Sequence, residues 1–176
     1  IIKEAVLKSN SKNPIIIAKS AMHNEAVNMH GPEHHFLDGA SFMVALRNGG
    51  LDFDIDAALE KLMDRSSKMP GAMCGYWGVC GSVTSLGAVF SIIDETGPLS
   101  DNEDYKDHMT FTSGVVSKMS EIGGPRCCKR NAFISLSQAV EHAREKYDVE
   151  LELSSIICEF SSKNAQCINE RCPFHK

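Results

Sequence analysis

The sequence predicts a mostly α-helical protein: a single-domain bundle of about six to seven helices, with one short β segment and a cysteine-bearing C-terminal tail. Three observations predict this class. Apolar residues recur at helical spacing in several segments, and glycine or proline separates these segments at short intervals. The length of 176 residues fits one domain with a sizeable core and would be cramped for two.

Seven segments have the spacing and the end signals of helices. They are residues 1–8, 14–29, 31–48, 54–70, 74–93, 100–122 and 127–147. Gly31 and Pro32 suit the start of the third helix, and Gly49 suits its end. Asp54 caps the fourth helix. We treat residues 1–176 as one domain in which residues 1–28 form a peripheral helical extension.

The second half of the chain carries the expected central helix. Residues 74–93 are small or apolar on most sides, so we expect the part from 83 to 93 to be buried at the centre. "SDNE" has the form of a capping box, in which Ser100 accepts from the first helical turn and Glu103 reaches back. Residues 149–160 alternate as in a β strand, and residues 161–176 form a polar tail.

Composition excludes several classes of function. The chain has 18 Lys and Arg against 23 Asp and Glu, a net charge of −5, which argues against nucleic acid as a partner. No apolar run reaches the roughly 18–20 residues that span a bilayer. Seven cysteines are an odd number, and no stretch resembles a secretory signal, so we expect free thiols in a cytoplasmic protein and no disulfide framework.

The stretch "GGPRCCKR" places two adjacent cysteines, Cys127 and Cys128, at the expected start of the last helix. Free N–H groups, the helix dipole and the cations Arg126, Lys129 and Arg130 would all favour thiolates there. The sequence therefore predicts that one or both thiols have a lowered pKa and act as catalytic nucleophiles, while the three cations hold an anion. The alternative is packing of two small residues at a tight helix–helix corner.

The stretch "CGYWGVCG" contributes Cys74 and Cys80. Six residues on a straight helix separate them by about 120° around the axis and about 9 Å along it, so they cannot chelate one ion from such a helix. We expect both cysteines to line a ligand or cofactor pocket, for which the intervening glycines leave room. The alternative is a glycine-mediated helix crossing with buried, inert cysteines.

The stretch "MHGPEHHF" contains a literal H-x-x-E-H, a zinc signature of certain metalloproteases. That chemistry needs both histidines on one helix, and Gly31-Pro32 places His30 outside the helix start. The same residues predict a partial metal site that uses His30 and His35, with His34 and Glu33 as general acid or base. Structural histidines are the alternative.

The tail places Cys158, Cys167 and Cys172 with the spacing C-x8-C-x4-C, and proline follows the last cysteine. A polar segment with three cysteines suits a wrapped metal site, and Cys-Pro is frequent where a cluster ligand ends a loop. A fourth ligand must come from elsewhere, and Cys127 or Cys128 is the nearest candidate in type. We assign Cys128 to the ligand set, with an iron–sulfur cluster as the expected cofactor and zinc as the alternative.

Four blocks, "HGPEHH", "CGYWGVCG", "GGPRCCKR" and the terminal "CPF", resemble the signature blocks of a domain family of unknown function in anaerobic archaea and bacteria. The resemblance covers about residues 29–174. Members of that family stand alone or are attached to a methyltransferase-like domain. The resemblance implies an anaerobic, cytoplasmic setting and supplies no activity.

These features predict a metal-binding, cytoplasmic protein with a pocket lined by cysteine and histidine, suited to redox or sulfur-transfer chemistry. Its partner would be a small anionic substrate, or a redox or methyltransferase-like protein. Two alternatives stay open. One is a metal-free dithiol oxidoreductase that uses Cys127 or Cys128. The other is a non-catalytic metal or redox sensor or carrier.

Overall fold

Eight α-helices form most of the chain in the computed structural model, which describes residues 1–176. They are α1 (Ile2–Leu7), α2 (Pro14–Met22), α3 (His34–Gly49), α4 (Ile55–Ser67), α5 (Met73–Tyr76), α6 (Gly81–Ile93), α7 (Glu103–Ile122) and α8 (Cys128–Tyr147). The mostly α, single-domain prediction is confirmed. The segment predicted as one helix over 74–93 is two helices, because the chain leaves helical geometry between Trp77 and Cys80 and Gly78 takes a left-handed φ of 70°.

Helix α6 lies at the centre of the bundle and contacts α3, α4, α7 and α8. Its side chains Val83, Leu86, Val89 and Phe90 are fully buried, as the small, apolar composition predicted. The ring of Phe90 packs edge-on against Phe42 of α3, with centroids 5.6 Å apart. Burial of apolar side chains on every side of α6 supplies the main favourable free energy of this bundle.

Close approach of α3 to α6 depends on a glycine. The Gly39 N–H donates to the Ser85 hydroxyl at 3.0 Å. A Cβ at position 39 would lie 2.6 Å from that same oxygen, closer than real Cβ contacts allow. Only glycine therefore fits this crossing without movement of one helix.

Side-chain hydrogen bonds cap several helix starts, and some helix ends differ from the sequence prediction. Asn13 caps α2 and accepts from the N–H groups of Ile15 and Ile16. The predicted end of α2 at residue 29 is wrong, because the helix ends at Met22. The capping box at residues 100–103 is also wrong: Asn102 caps α7.

The first two helices contribute to the same core as the rest. Val6 of α1 is fully buried, and Ile17 of α2 is 1% exposed. Both belong to the one hydrophobic cluster that also contains the α6 side chains. The N-terminal residues therefore share their packing with the bundle.

The predicted β segment at 149–160 is wrong, because these residues run extended without forming a strand. Their alternation reflects one-sided packing on the helices: Val149 and Leu151 lie against Gly49 at the end of α3. Glu152 donates its N–H to the Lys12 carbonyl at 3.1 Å, which fixes the segment across the body.

The tail folds back onto this segment through short turns. The Cys158 N–H donates to the Phe174 carbonyl at 2.7 Å. The Phe174 ring packs edge-on against Phe133 of α8 at 5.4 Å between centroids. Two short 3-10 helices, Ser161–Lys163 and Asn169–Arg171, complete the tail. None of the helices is both long enough and apolar enough to span a bilayer.

A network around Lys146 ties together the ends of three helices. The ammonium lies 2.7 Å from Asp104, 2.8 Å from Asp107 and 3.1 Å from Asp94. Burial favours the neutral amine, but the three carboxylates outweigh it and raise the pKa of Lys146. The Tyr147 hydroxyl donates to Asp94 at 2.9 Å. One cation therefore balances acidic groups from the end of α6 and the start of α7.

We expect Lys146→Met to lower the free energy of unfolding by about 2–4 kcal/mol, because it leaves a buried carboxylate, Asp94, without its cation. Lys106→Met is the matched control, since Lys106 pairs only with Glu103 on the exposed surface of α7. That control should cost less than about 0.5 kcal/mol. Urea denaturation of both variants checks the difference, and equal losses would contradict the role of the network.

Candidate functional site

The start of α8 is buried, so its cationic side chains Lys129 and Arg130 bond to groups inside the protein. Arg130 is 4% exposed and donates to the backbone carbonyls of Gly123 and Pro125, each at 3.0 Å. Its guanidinium therefore holds the loop that precedes α8. Arg130 does not present its charge to a ligand, which the sequence prediction had assigned to it.

Lys129 is turned into the interior and is 1% exposed. Its ammonium donates to the Asn28 carbonyl at 2.7 Å and to His34 Nε2 at 2.9 Å. It also lies 5.3 Å from the centroid of the Phe160 ring. Burial lowers the pKa of Lys129. This residue links α8 to the start of α3 and is not placed to hold a solvent-borne anion.

Cys127 faces the tail. It is the N-cap of α8, and it lines a cavity of about 20 Å³ together with all three tail cysteines. We call this cavity the tail pocket and define it by Cys127, Cys158, Cys167 and Cys172. Of the two adjacent cysteines, Cys127 lines this pocket and Cys128 does not, although both line a second cavity. The assignment of Cys128 to a metal-binding set with the tail cysteines stays a prediction.

Hydrogen bonds to sulfur and an apolar wall surround the tail pocket. Cys127 Sγ accepts from the Arg130 N–H at 3.4 Å and from the Asn164 amide at 3.6 Å. Cys158 Sγ accepts from the Phe160 N–H at 3.4 Å. Aromatic and aliphatic side chains complete the wall, namely Phe133, Phe160, Ile168 and Phe174. Such donors stabilise negative charge on sulfur.

The side chains are not arranged around a common point as they stand. No group of three or more His, Cys, Asp or Glu side chains is close enough to hold a metal ion. A change of χ1 between staggered rotamers moves a thiol sulfur by about 3 Å. Metal binding in the tail pocket therefore requires rotation of thiols that already line the same small space.

His30 lies between the tail pocket and the opposite side of α8. Its Nδ1 accepts from the Cys128 N–H at 3.4 Å, and its Nε2 contacts Asn164 Oδ1 at 3.0 Å. Burial lowers the pKa of His30, which fits a neutral ring with its proton on Nε2. Both ring nitrogens are therefore occupied here, and neither points to a metal as the sequence prediction assumed.

Cys128 lines a second cavity, of about 30 Å³, on the other side of the helix start. We call it the inner cavity and define it by Cys74, Cys80, Cys128, His34, His35 and Asp38. Cys80 is the N-cap of α6, and Cys128 is the first residue of α8. The structure thus brings the cysteines of two sequence stretches and two of the predicted histidines to one place.

The break between α5 and α6 makes room for this cavity. The His35 ring lies against Gly81, and a Cβ at position 81 would overlap that ring. A glycine is therefore needed where α6 begins. The kink moves Cys74 and Cys80 off a common straight helix, so both can line one space.

For Cys128 the direction of the pKa shift is opposite to the sequence prediction. Burial raises the pKa of Cys128 to about 12, with the nearby Asp38 charge acting in the same direction. Burial also raises the pKa of Cys80, although the Asn131 amide donates to its sulfur at 3.3 Å. The predicted lowering of the Cys128 pKa is wrong, because two of the expected cations are engaged elsewhere and desolvation dominates.

An open cleft of about 700 Å³ adjoins the inner cavity. Cys74, Cys80 and Arg126 line both spaces. Arg126 is exposed at this cleft, whereas Arg130, which also lines it, is buried and bound to backbone carbonyls. The volume falls in the range of sites for small molecules.

Two residues depart from the sequence prediction in opposite ways. Glu33, predicted as a general acid or base, lines neither cavity, and its carboxylate accepts from the Asn28 N–H at 2.7 Å. Asp38, which the prediction missed, is fully buried and lines the inner cavity. The signal was present: Asp38 is a lone carboxylate within the apolar run of α3.

The fold and the two thiol-lined cavities define an all-α, cysteine-rich domain with a cleft lined by two free cysteines, Cys74 and Cys80. The chain belongs to a family of unknown function (DUF5714), whose model matches residues 2–175. This confirms the resemblance to a domain family of unknown function. Among curated proteins and solved structures, none matches the chain significantly.

We expect Cys128 in the metal-free, folded protein to react with iodoacetamide at pH 8 at least about 100-fold more slowly than in urea. A thiol with a pKa near 12 is almost fully protonated there, whereas an unfolded cysteine titrates near 8.5. The labelling rate, followed by peptide mapping, should keep rising about tenfold per pH unit up to pH 10. A rate that is already high at pH 6 would contradict burial as the dominant effect.

Proposed function

We propose that this protein binds a metal through four cysteine thiolates in the tail pocket: Cys127, Cys158, Cys167 and Cys172. The observation that carries the proposal is that these four thiols, from two segments far apart in sequence, line one small cavity. Each of the other three acts electrostatically on Cys158. Four thiolates in one place repel one another, and a bound cation is what stabilises such a set.

The surroundings of the sulfurs support the proposal. Three N–H groups donate to sulfur in the tail pocket, two of them from the backbone. Donors of this kind orient metal-bound thiolates and limit their charge. The tail also has little apolar side chain of its own to bury beyond Phe160, Ile168 and Phe174. A metal would supply the cross-links that a polar, 16-residue tail otherwise lacks.

Two metals fit the donor set. The Cys172-Pro173 step and the apolar wall favour an iron–sulfur cluster, which remains the first candidate. The space favours a single tetrahedral ion, because about 20 Å³ is room for about one water molecule. A four-iron cluster would require the tail turns to move outward, whereas zinc would require only rotation of thiols.

We extend the proposal to the chemistry of the cleft. Arg126 would hold a small anionic substrate beside Cys74 and Cys80, in redox or sulfur-transfer chemistry. The seven free cysteines fit a reducing compartment such as the cytoplasm. A redox or methyltransferase-like partner protein stays part of the proposal. The raised pKa of Cys128 weighs against the alternative of a metal-free dithiol enzyme that uses it as nucleophile.

We expect Cys167→Ser to lose the metal of the tail pocket and to loosen residues 161–176, because a hydroxyl is a poor replacement for a thiolate ligand. Anaerobic purification followed by a visible spectrum and iron, zinc and sulfide analysis measures the metal. Limited proteolysis with peptide mapping measures the order of the tail. Visible absorption with iron and sulfide identifies a cluster, and zinc without colour identifies the single ion.

Cys74→Ser is the matched control, since Cys74 is also a partly buried free cysteine but lies outside the tail pocket. It should leave both the visible spectrum and the protease resistance of the tail unchanged. A Cys167→Ser protein that keeps the full metal content and the same proteolysis pattern would overturn the proposal.

A further inference from the structure

A buried carboxylate without a partner lies at the inner cavity. Asp38 has no exposed surface, and neither of its oxygens has a hydrogen-bond partner. The nearest basic group is His34 Nδ1, 3.6 Å away, which is too far for a hydrogen bond and is itself unpartnered. A buried carboxylate is normally paired, hydrogen-bonded or bound to a metal. Asp38 has no hydrogen bond and no closely paired cation.

The cationic side chains nearby do not supply the missing charge. The Lys129 ammonium donates to the Asn28 carbonyl and His34, and the Arg130 guanidinium is bound to backbone carbonyls. Arg126 is exposed at the edge where the inner cavity meets the cleft. Apart from His34 Nδ1 at 3.6 Å, no basic side chain is paired with Asp38, so a bound cation or a proton would compensate its charge.

Further donors for a metal line the same cavity. Cys80 and Cys128 contribute thiols, and both lie within the electrostatic reach of Asp38. His35 is buried with an unpartnered Nδ1, and its ring donates an N–H to the backbone carbonyl of Met69. A metal-bound histidine commonly donates its other ring N–H to a backbone carbonyl, and this hydrogen bond orients the ring.

The helix ends favour negative charge at this point. Cys80 caps α6, while His34 and Cys128 are the first residues of α3 and α8. Three helix N-termini therefore surround the inner cavity, and their partial positive charge stabilises anionic donors. A carboxylate and two thiolates can coexist there when a divalent cation binds between them.

We propose that the inner cavity is a second metal site, separate from the tail pocket, for one divalent cation of the zinc or ferrous type. Its donors, which would converge on the ion by side-chain rotation, are the Asp38 carboxylate, the thiolates of Cys80 and Cys128, and the His35 imidazole. His34, held by Lys129, lies beside Asp38 with its Nδ1 3.6 Å from the carboxylate. Soft thiolate, imidazole and carboxylate donors together suit zinc or iron and not magnesium or calcium.

The site opens to the cleft on one side, where Cys80 and Arg126 line both spaces. Metal sites with an open side accept water or a substrate atom, whereas structural sites are closed by four protein ligands. The inner cavity therefore has the properties of the reactive site. The tail pocket, walled by apolar side chains, has those of the structural one. The second site uses different donors and does not depend on the tail pocket binding a metal.

Anaerobic titration of the metal-free, full-length chain with Co²⁺ tests the proposal, because cobalt bound to thiolate has an absorption that reports the number of sulfur ligands. The unaltered chain should bind a second equivalent with a spectrum distinct from the first. Asp38→Asn should weaken that equivalent at least about 100-fold and leave the tail-pocket bands in place. Cys172→Ser should do the reverse.

The cobalt equivalents that the Asp38→Asn and Cys172→Ser variants lose or keep distinguish the two sites. One equivalent that Cys172→Ser abolishes and Asp38→Asn keeps would overturn the second site and leave the tail pocket intact. One equivalent that Asp38→Asn abolishes and Cys172→Ser keeps would support the second site and overturn the first. If Asp38→Asn fails to fold by circular dichroism, Cys80→Ser takes its place: unchanged binding with unchanged bands would overturn the proposal, and loss of sulfur-to-cobalt absorption would support it.

Discussion

The first turn of α8 is buried, and both cavities are built around it. This turn lies between the helical body and the folded-back tail, so its polar groups must find partners inside the protein. Lys129 reaches the carbonyl before α3, and Arg130 reaches the carbonyls of its own loop. The cationic side chains of Lys129 and Arg130 therefore hold the start of α8 against its surroundings.

The two adjacent cysteines differ in the cavities that they line. Cys127 lines both the tail pocket and the inner cavity, whereas Cys128 lines the inner cavity and not the tail pocket. Through His30 and Asn164, the two sides remain connected by hydrogen bonds. The Cys127-Cys128 dipeptide therefore contributes to both cavities.

The helical fold and the clustering of the tail cysteines could be predicted from the sequence, because helix periodicity, turn residues and cysteine spacing are local signals. The strand at 149–160 was mispredicted because one-sided packing on helices alternates as a strand does. The pKa of Cys128 could not be predicted, since desolvation and the partners of Lys129 are properties of the tertiary structure. Asp38 stands out in the sequence as a lone carboxylate in an apolar run, but its lack of a hydrogen-bond partner and the cavity that it lines are properties of the tertiary structure.

Anomalous X-ray diffraction at the iron and zinc absorption edges, from crystals of anaerobically purified protein, tests the assignment of two metal sites most directly. Two sites should give separate metal peaks at the start of α8, one within bonding distance of Cys127 Sγ and the other of Cys128 Sγ. A single metal bound by both sulfurs, or the absence of metal beside either, would contradict the assignment.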